Sequence, residues 1–180
     1  MGAPSTEFGV YLHIPFCKSR CDYCAFATFT DRHDLRDAYL DACLVDVERT
    51  VARGMRTATT VFVGGGTPTQ VDPEHLGRVL DALPLVEGAE VTVECNPDDV
   101  TEELLRVYRS HRVNRISLGV QSMDPNVLAT LGRAHVPENV ARAVDAVRAV
   151  GMPSFNLDLI YGAAGETLEQ WAHTVRSALA

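Results

Sequence analysis

Three cysteines near the N-terminus are the residues of this sequence best suited to chemistry. Cys17, Cys21 and Cys24 follow the spacing C-x3-C-x2-C, and the chain has five cysteines in all. An odd number, with three thiols inside eight residues, fits neither a secreted disulfide framework nor random scatter. The spacing therefore indicates a reduced cluster of thiols that binds metal.

Three thiols alone do not show which metal or metal cluster the cysteines bind. A zinc site would need a fourth ligand, and His13 could complete a Cys3His set. The remaining cysteines carry less information: Cys43 lies on the apolar face of a predicted helix and Cys95 follows a predicted strand. We expect both of them to be core residues rather than ligands.

A glycine-rich stretch follows the second predicted strand. It reads Gly64-Gly65-Gly66-Thr67-Pro68-Thr69, and its first three residues have no β-carbon. Backbone N–H and C=O groups can therefore approach a ligand closely. Taken alone, a glycine run more often marks a tight turn, so this signal is weak without its neighbours.

Polar residues share one face on three predicted strands. The pairs are Thr92 with Glu94, Ser117 with Gln121, and Asn156 with Asp158. The opposite faces are apolar, as expected where helices cover a sheet. Buried carboxylates are rare unless they are paired or bind a ligand, so the pattern favours a cavity at the carboxyl ends of the strands over solvated polar edges.

The elements that must position these residues alternate along the chain. Short runs rich in Val, Ile and Tyr alternate with segments of helical period, which predicts an α/β fold of βα units with a parallel sheet. The predicted strands are Val10–Ile14, Thr60–Val63, Glu90–Glu94, Arg115–Val120 and Phe155–Ile160. The predicted helices run from Leu35 to Arg53, Asp72 to Leu83, Thr101 to Tyr108, Pro137 to Val150, and from a capping box at Thr167 to Ala180. Spacing alone does not decide between an open doubly wound sheet and a closed barrel.

Composition sets the broad class of the protein. The chain has 180 residues, 46% hydrophobic and 22% charged, which predicts a globular protein with an N-terminal tail over 1–8 and one core domain over 9–180. No apolar run is long enough for a membrane span, and the first residues lack the plan of a signal peptide, so we expect a cytoplasmic protein. The net charge of −8 and the scattered basic residues argue against a nucleic-acid partner.

From about Gly9 to its end, the sequence resembles radical S-adenosylmethionine (SAM) enzymes, in particular the oxygen-independent coproporphyrinogen III oxidase group. The cysteine motif and the GGGTPT stretch carry the resemblance. It implies a [4Fe–4S] cluster held by Cys17, Cys21 and Cys24, with the fourth iron free to bind SAM. It also implies a (β/α)6 barrel, of which about five βα units are present and the C-terminal part is missing, so that the core domain is truncated.

The resemblance further assigns roles around the cofactors. Contacts to the cluster-bound SAM would come from Tyr11, Gly65 and Glu94. A second SAM or a neighbouring pocket would be surrounded by Gly66, Thr67, Gln121, Arg133 and Asp158. Tyr23 takes the place of an aromatic residue that flanks the cluster. The stretch from Tyr161 to Thr167 departs from the family form YGLPGQT without touching a residue assigned here.

Two branches of the group differ at the position two residues after the last cysteine. The porphyrinogen-oxidising branch has a fourth cysteine there, whereas this sequence has Phe26 and so resembles the heme chaperones of the HemW family. That branch implies heme as cargo and apo-hemoproteins as partners, with heme contacts in a domain beyond Ala180. The first alternative is a coproporphyrinogen III dehydrogenase, which needs an electron donor and converts propionates to vinyl groups through a 5′-deoxyadenosyl radical. The second is a zinc-stabilised scaffold without catalytic activity.

Overall fold

The computed structural model describes residues 7–180. Residues 1–6, which are most of the predicted N-terminal tail, lie outside the described part. The described strands are β1 (Gly9–Ile14), β2 (Ala58–Gly65), β3 (Leu85–Cys95), β4 (Arg115–Gln121) and β5 (Ser154–Leu159). The α-helices are α1 (Arg36–Ala52), α2 (Pro73–Asp81), α3 (Glu102–Ser110), α4 (Pro125–Thr130), α5 (Pro137–Ala149) and α6 (Leu168–Leu179). Short 3-10 turns cover His33–Leu35, Pro68–Gln70 and Pro97–Asp99.

Within residues 7–180 the strands form a single five-stranded sheet, and each pairs in parallel with the next in sequence. The prediction of a parallel α/β sheet is confirmed. A doubly wound sheet reverses its strand order at a switch point, and this sheet does not. Neighbouring helices also contact one another in chain order, α1 with α2, α2 with α3, and α3 with α5. The βα units therefore advance in one direction, as in a barrel.

The core lies between the sheet and these helices. Strand residues of one parity are buried there, and they are Val61, Val63, Val91, Val93, Ile116, Leu118 and Val120. They pack against helix residues such as Leu76, Leu105 and Val140. Fully burying a side chain of this size stabilises the fold by roughly 1.5–3 kcal/mol relative to leaving it exposed. The apolar face predicted for β3 and β4 is confirmed, and the alternate, polar residues of these strands face the opposite side of the sheet.

Local signals place several helix ends. Asp72 accepts a hydrogen bond from the backbone of the first turn of α2, and Thr167 and Gln170 form the predicted capping box of α6. Gly54 and Gly151 follow α1 and α5 with φ of +90° and +62°, the left-handed conformation that ends helices.

Three expectations differ from the structure. Helix α4 was not predicted, and β3 begins at Leu85 rather than at residue 90. Helix α1 begins at Arg36 rather than at the predicted Leu35, which is exposed, and the buried residue of this helix is Leu40. The 3-10 turn before α1 places Leu35 outside the helix and off its packed face. Among the helices of residues 7–180, none combines the length and the apolar character needed to cross a membrane.

Candidate functional site

A cleft opens at the carboxyl ends of the strands, on the polar side of the sheet. The three motif cysteines line it together with eight of the nine residues assigned to SAM by resemblance. Those eight are Tyr23, Gly65, Gly66, Thr67, Glu94, Gln121, Arg133 and Asp158. Of the six polar strand residues predicted to face a cavity, Glu94, Gln121 and Asp158 line the cleft. Their strand partners Thr92, Ser117 and Asn156 do not line it.

The cysteine loop connects β1 to the 3-10 turn before α1. Its ends are tied together, because Phe29 N–H donates to Pro15 O at 2.7 Å and Cys17 N–H donates to Phe29 O at 3.1 Å. A turn closed from Cys24 N–H to Cys21 O, also 3.1 Å, brings the last two cysteines close. An irregular backbone of this kind lets three thiols face one region, and none of them is in a disulfide.

Two of the motif sulfurs accept hydrogen bonds from across the cleft. Thr67 Oγ1 donates to Cys17 Sγ, and Arg133 Nη1 donates to Cys21 Sγ, both at 3.6 Å. Burial raises the pKa of the Cys17 thiol, and the Thr67 hydroxyl partly offsets that rise. A bound metal would displace the thiol protons, and donors to the sulfurs are the usual outer support of such ligands.

His13 does not join the cysteines. The Tyr11 hydroxyl donates to His13 Nδ1 at 3.0 Å, and His13 Nε2 donates to Ala27 O at 2.9 Å, so both ring nitrogens are occupied. Within the described part of the chain, no three His, Cys, Asp or Glu side chains converge tightly enough to bind a single metal ion. The geometry gives no support to a Cys3His zinc site.

The glycine run packs against the cysteine loop. Gly66 N–H donates to Ile14 O and Thr67 N–H donates to Phe16 O, each at 2.8 Å. Gly65 has φ of +106°, and a β-carbon there would lie 2.2 Å from the His13 ring, so only glycine fits. The run is therefore more than a tight turn, since it joins the end of β2 to the segment that carries the thiols.

Two carboxylates face the cleft from β3 and β5. Gly65 N–H donates to Glu94 Oε2 at 3.2 Å. Burial raises the pKa of Glu94; the Gly65 hydrogen bond partly offsets this, and the nearby Asp158 adds to it. Asp158 accepts from Ser117 Oγ at 2.6 Å and from Asn156 Nδ2 at 2.7 Å, which fixes its orientation. Within residues 7–180 neither carboxylate is ion-paired with Lys or Arg, so a cationic ligand group would be stabilised here.

Gln121 and Tyr11 are two further residues assigned to SAM by resemblance. Gln121 ends β4 with φ of +65°, an uncommon conformation for a residue other than glycine, and its carbonyl accepts from Ile160 N–H at 2.9 Å. Tyr11 stacks on Phe62 and is the one assigned residue that does not line the cleft of the described chain. Burial and the negative charge of Glu94 raise the pKa of Tyr11.

Sequence reasoning missed two residues that organise the cleft. Asp99 accepts hydrogen bonds from Lys18 in the cysteine loop and from two residues after the glycine run. His135 is 4% exposed and lies beside Arg133 on the cleft floor. Neither residue belongs to a motif, and their partners are distant in sequence, so no local signal pointed to them.

Comparison with known proteins gives a consistent family. The model of the Radical SAM superfamily matches residues 11–178. The chain is 35% identical over 175 residues to the heme chaperone HemW of Bacillus subtilis, covering 94% of this chain and 46% of that protein. It is 40% identical to the heme chaperone HemW of Mycobacterium tuberculosis H37Rv, covering 98% and 47%. It is 36% identical to the oxygen-independent coproporphyrinogen III oxidase of Paracoccus denitrificans, covering 95% and 40%.

A solved structure agrees with the sequence comparisons. Coproporphyrinogen III oxidase (HemN) from Escherichia coli, described as a radical SAM enzyme, superposes with a TM-score of 0.85 at 28% identity, covering 94% of this chain and 41% of that one. The chain thus spans about half the length of the relatives it matches. The superfamily implies a [4Fe–4S] cluster and SAM, and three thiols beside a cleft with two carboxylates suit both. On its match over residues 11–178, and with a cleft that fits those cofactors, this chain belongs to the radical SAM superfamily.

Proposed function

We propose that the full-length protein is a cytoplasmic heme chaperone of the HemW type, which binds heme and delivers it to apo-hemoproteins. The observation that carries this proposal is Phe26, which stands where the oxidase branch has a fourth cysteine. Its side chain is 63% exposed and lines the cleft beside the thiols, where it offers no ligand. Two relatives named heme chaperone, at 35% and 40% identity, also support the HemW branch over the oxidase branch.

Within this chain we assign the cofactor contacts as follows. Cys17, Cys21 and Cys24 hold the cluster. Tyr11, Gly65 and Glu94 contact the SAM bound to it, and Tyr23 flanks the cluster. A second SAM or the adjoining pocket is surrounded by Gly66, Thr67, Gln121, Arg133 and Asp158. When bound and reduced, the cluster supplies the electron that cleaves a C–S bond of SAM.

The chain's own side chains prepare the site for a positively charged ligand. Glu94, with its raised pKa, takes up a proton more readily than an exposed carboxyl group and is returned to its anionic form by a cationic neighbour. Asp158 is held by Ser117 and Asn156, so its carboxylate does not need to reorient on binding. Tyr23 lies beside the Cys21 thiol, and burial raises its pKa to about 12, so it stays a neutral phenol.

The chaperone role is tested with the full-length protein reconstituted anaerobically with iron and sulfide. We expect heme to bind and then to move to an added apo-hemoprotein, measured by the absorption spectrum of the acceptor. A Cys21→Ala variant separates the cluster from heme binding, since it should lose cluster absorption near 400 nm. Absence of both heme binding and heme transfer in the wild-type protein would remove this proposal.

A second candidate is coproporphyrinogen III oxidation, because the oxidase from Escherichia coli shares the fold at a TM-score of 0.85. It requires an electron donor as an additional partner. Anaerobic incubation of the full-length protein with SAM, a reductant and coproporphyrinogen III decides between the two. Decarboxylated product would favour the oxidase, whereas SAM cleavage without product would count against it. A Phe26→Cys variant is the matched control for the position that separates the branches.

A further inference from the structure

His135 is a buried histidine whose hydrogen bonds define its tautomer. It lies between α4 and α5, and its Nε2 is 2.9 Å from Val120 O. A carbonyl oxygen only accepts, so Nε2 carries the hydrogen and Nδ1 presents its lone pair. Arg133 Nε lies 3.3 Å from Nδ1 and donates to it. Burial and the charge of Arg133 lower the pKa of His135, in agreement with a neutral ring.

Arg133 is held by three acceptors at once. Its Nε donates to His135, its Nη2 donates to Gly119 O at 2.9 Å, and its Nη1 donates to Cys21 Sγ at 3.6 Å. A guanidinium is planar and rigid, so fixing two of its nitrogens directs the third. Because Gly119 belongs to β4 and His135 is anchored to the same strand, the direction of Nη1 is set by the sheet.

We propose that His135 is a positioning residue that directs Arg133 onto the sulfur of Cys21 and thereby raises the reduction potential of the cluster. The inference rests on the proposed cluster site. A donor to a ligating sulfur and a positive charge beside it both stabilise the reduced, more negative state of an iron–sulfur cluster. Without the acceptor at Nδ1, Arg133 would keep its charge but lose the constraint that points Nη1 at the sulfur.

Two substitutions of similar shape separate the two ring nitrogens. In His135→Asn the side-chain oxygen falls near the position of Nδ1 and can still accept from Arg133. In His135→Gln the amide nitrogen falls near Nε2 and can still donate to Val120 O, but the acceptor for Arg133 is lost. Arg133→Met provides the reference for complete removal of the donor.

The measurement is the midpoint potential of the cluster in the full-length protein, from a redox titration followed by electron paramagnetic resonance. We expect His135→Gln to shift the potential to more negative values, in the direction of Arg133→Met, and His135→Asn to stay near wild type. Equal potentials in wild type and His135→Gln, or the same shift in both His135 variants, would overturn the inference.

A second readout does not need the cluster. Long-range proton–nitrogen correlation spectra of the metal-free protein should show the His135 ring neutral with its hydrogen on Nε2, and a hydrogen on Nδ1 would overturn the inference.

Iron and sulfide content shows whether a negative result refutes the cofactor site or only the role of His135. A wild-type protein that holds no cluster refutes the proposed cofactor site and this inference with it, whereas loaded variants of unchanged potential refute the role of His135 alone.

Discussion

Replacing Asp99 with alanine tests whether one carboxylate holds the cleft loops together. Its Oδ1 accepts from Lys18 Nζ at 2.6 Å, and its Oδ2 accepts from Thr69 Oγ1 at 2.7 Å and from Gln70 Nε2 at 2.9 Å. Lys18 follows Cys17, whereas Thr69 and Gln70 follow the glycine run. The side chain of Asp99 is 12% exposed, so water does not easily replace these partners.

The expected cost follows from the three lost bonds. The bonds from Thr69 and Gln70 are each worth about 0.5–1.5 kcal/mol. The Lys18 side chain is 65% exposed, so its ion pair is discounted to about 0.2–1 kcal/mol. Asp99→Ala should therefore lower the free energy of unfolding by about 1–4 kcal/mol. Asp99→Asn keeps one oxygen for the two neutral donors and loses only the Lys18 contact, so its cost should be below about 1 kcal/mol.

Urea denaturation of the full-length metal-free protein in anaerobic, reducing buffer, followed by circular dichroism, measures both variants. Asp98→Ala is the matched control, because the adjacent carboxylate is exposed and contacts only Asn139 among the hydrogen bonds of the described residues. The reasoning is refuted if Asp99→Ala unfolds at the wild-type urea concentration, or if the asparagine variant is as unstable as the alanine variant.

Three further predictions concern separate parts of the fold. Gly65→Ala should prevent cluster assembly, because its β-carbon would collide with a ring on β1; normal iron content in the variant would contradict this. Tyr108→Phe should leave the free energy of unfolding unchanged or raise it by up to about 1 kcal/mol, since its buried hydroxyl has no hydrogen-bond partner among the described residues; a loss of stability in urea would contradict this. Burial alone would lower the pKa of His111, but Glu74 and Asp81 outweigh it and raise the pKa above 6.5. That contribution is complete below pH 6.5 and is lost as pH rises through the raised value, so His111→Gln should destabilise more at pH 6 than at pH 9 in thermal unfolding.

Most of the fold could be predicted from the sequence because its signals are periodic. Alternating strand parity placed Glu94 and Asp158 on the cleft side before any contact was known. The omissions have a physical cause: α4 has six residues, too few to show a helical period, although its cap and proline repeat the pattern at the start of α2. The early start of β3 was hidden by Gly88, which has φ of +75° and interrupts the apolar run.

The candidate site was predicted where residue type and spacing carry the chemistry, as for the three cysteines and the glycine run. It was not predicted where a residue matters through partners far away in sequence. Asp99 meets Lys18 across 81 positions, and Arg133 meets Cys21 across 112. A histidine such as His135 has no pattern of its own, because a carbonyl on β4 and a guanidinium two residues away define its role only once the sheet is formed.

The pairing of every strand with its predecessor bears on how the protein matures during translation. Domains begin to fold as the N-terminal segments leave the ribosome, and here each newly made βα unit can add to the edge of the sheet already present. The thiols of the first unit emerge long before Arg133, which follows Cys21 by 112 residues. The thiols of the nascent polypeptide are therefore exposed before the cleft around them has formed, so insertion of iron into a complete cleft requires synthesis past β5, which carries Asp158.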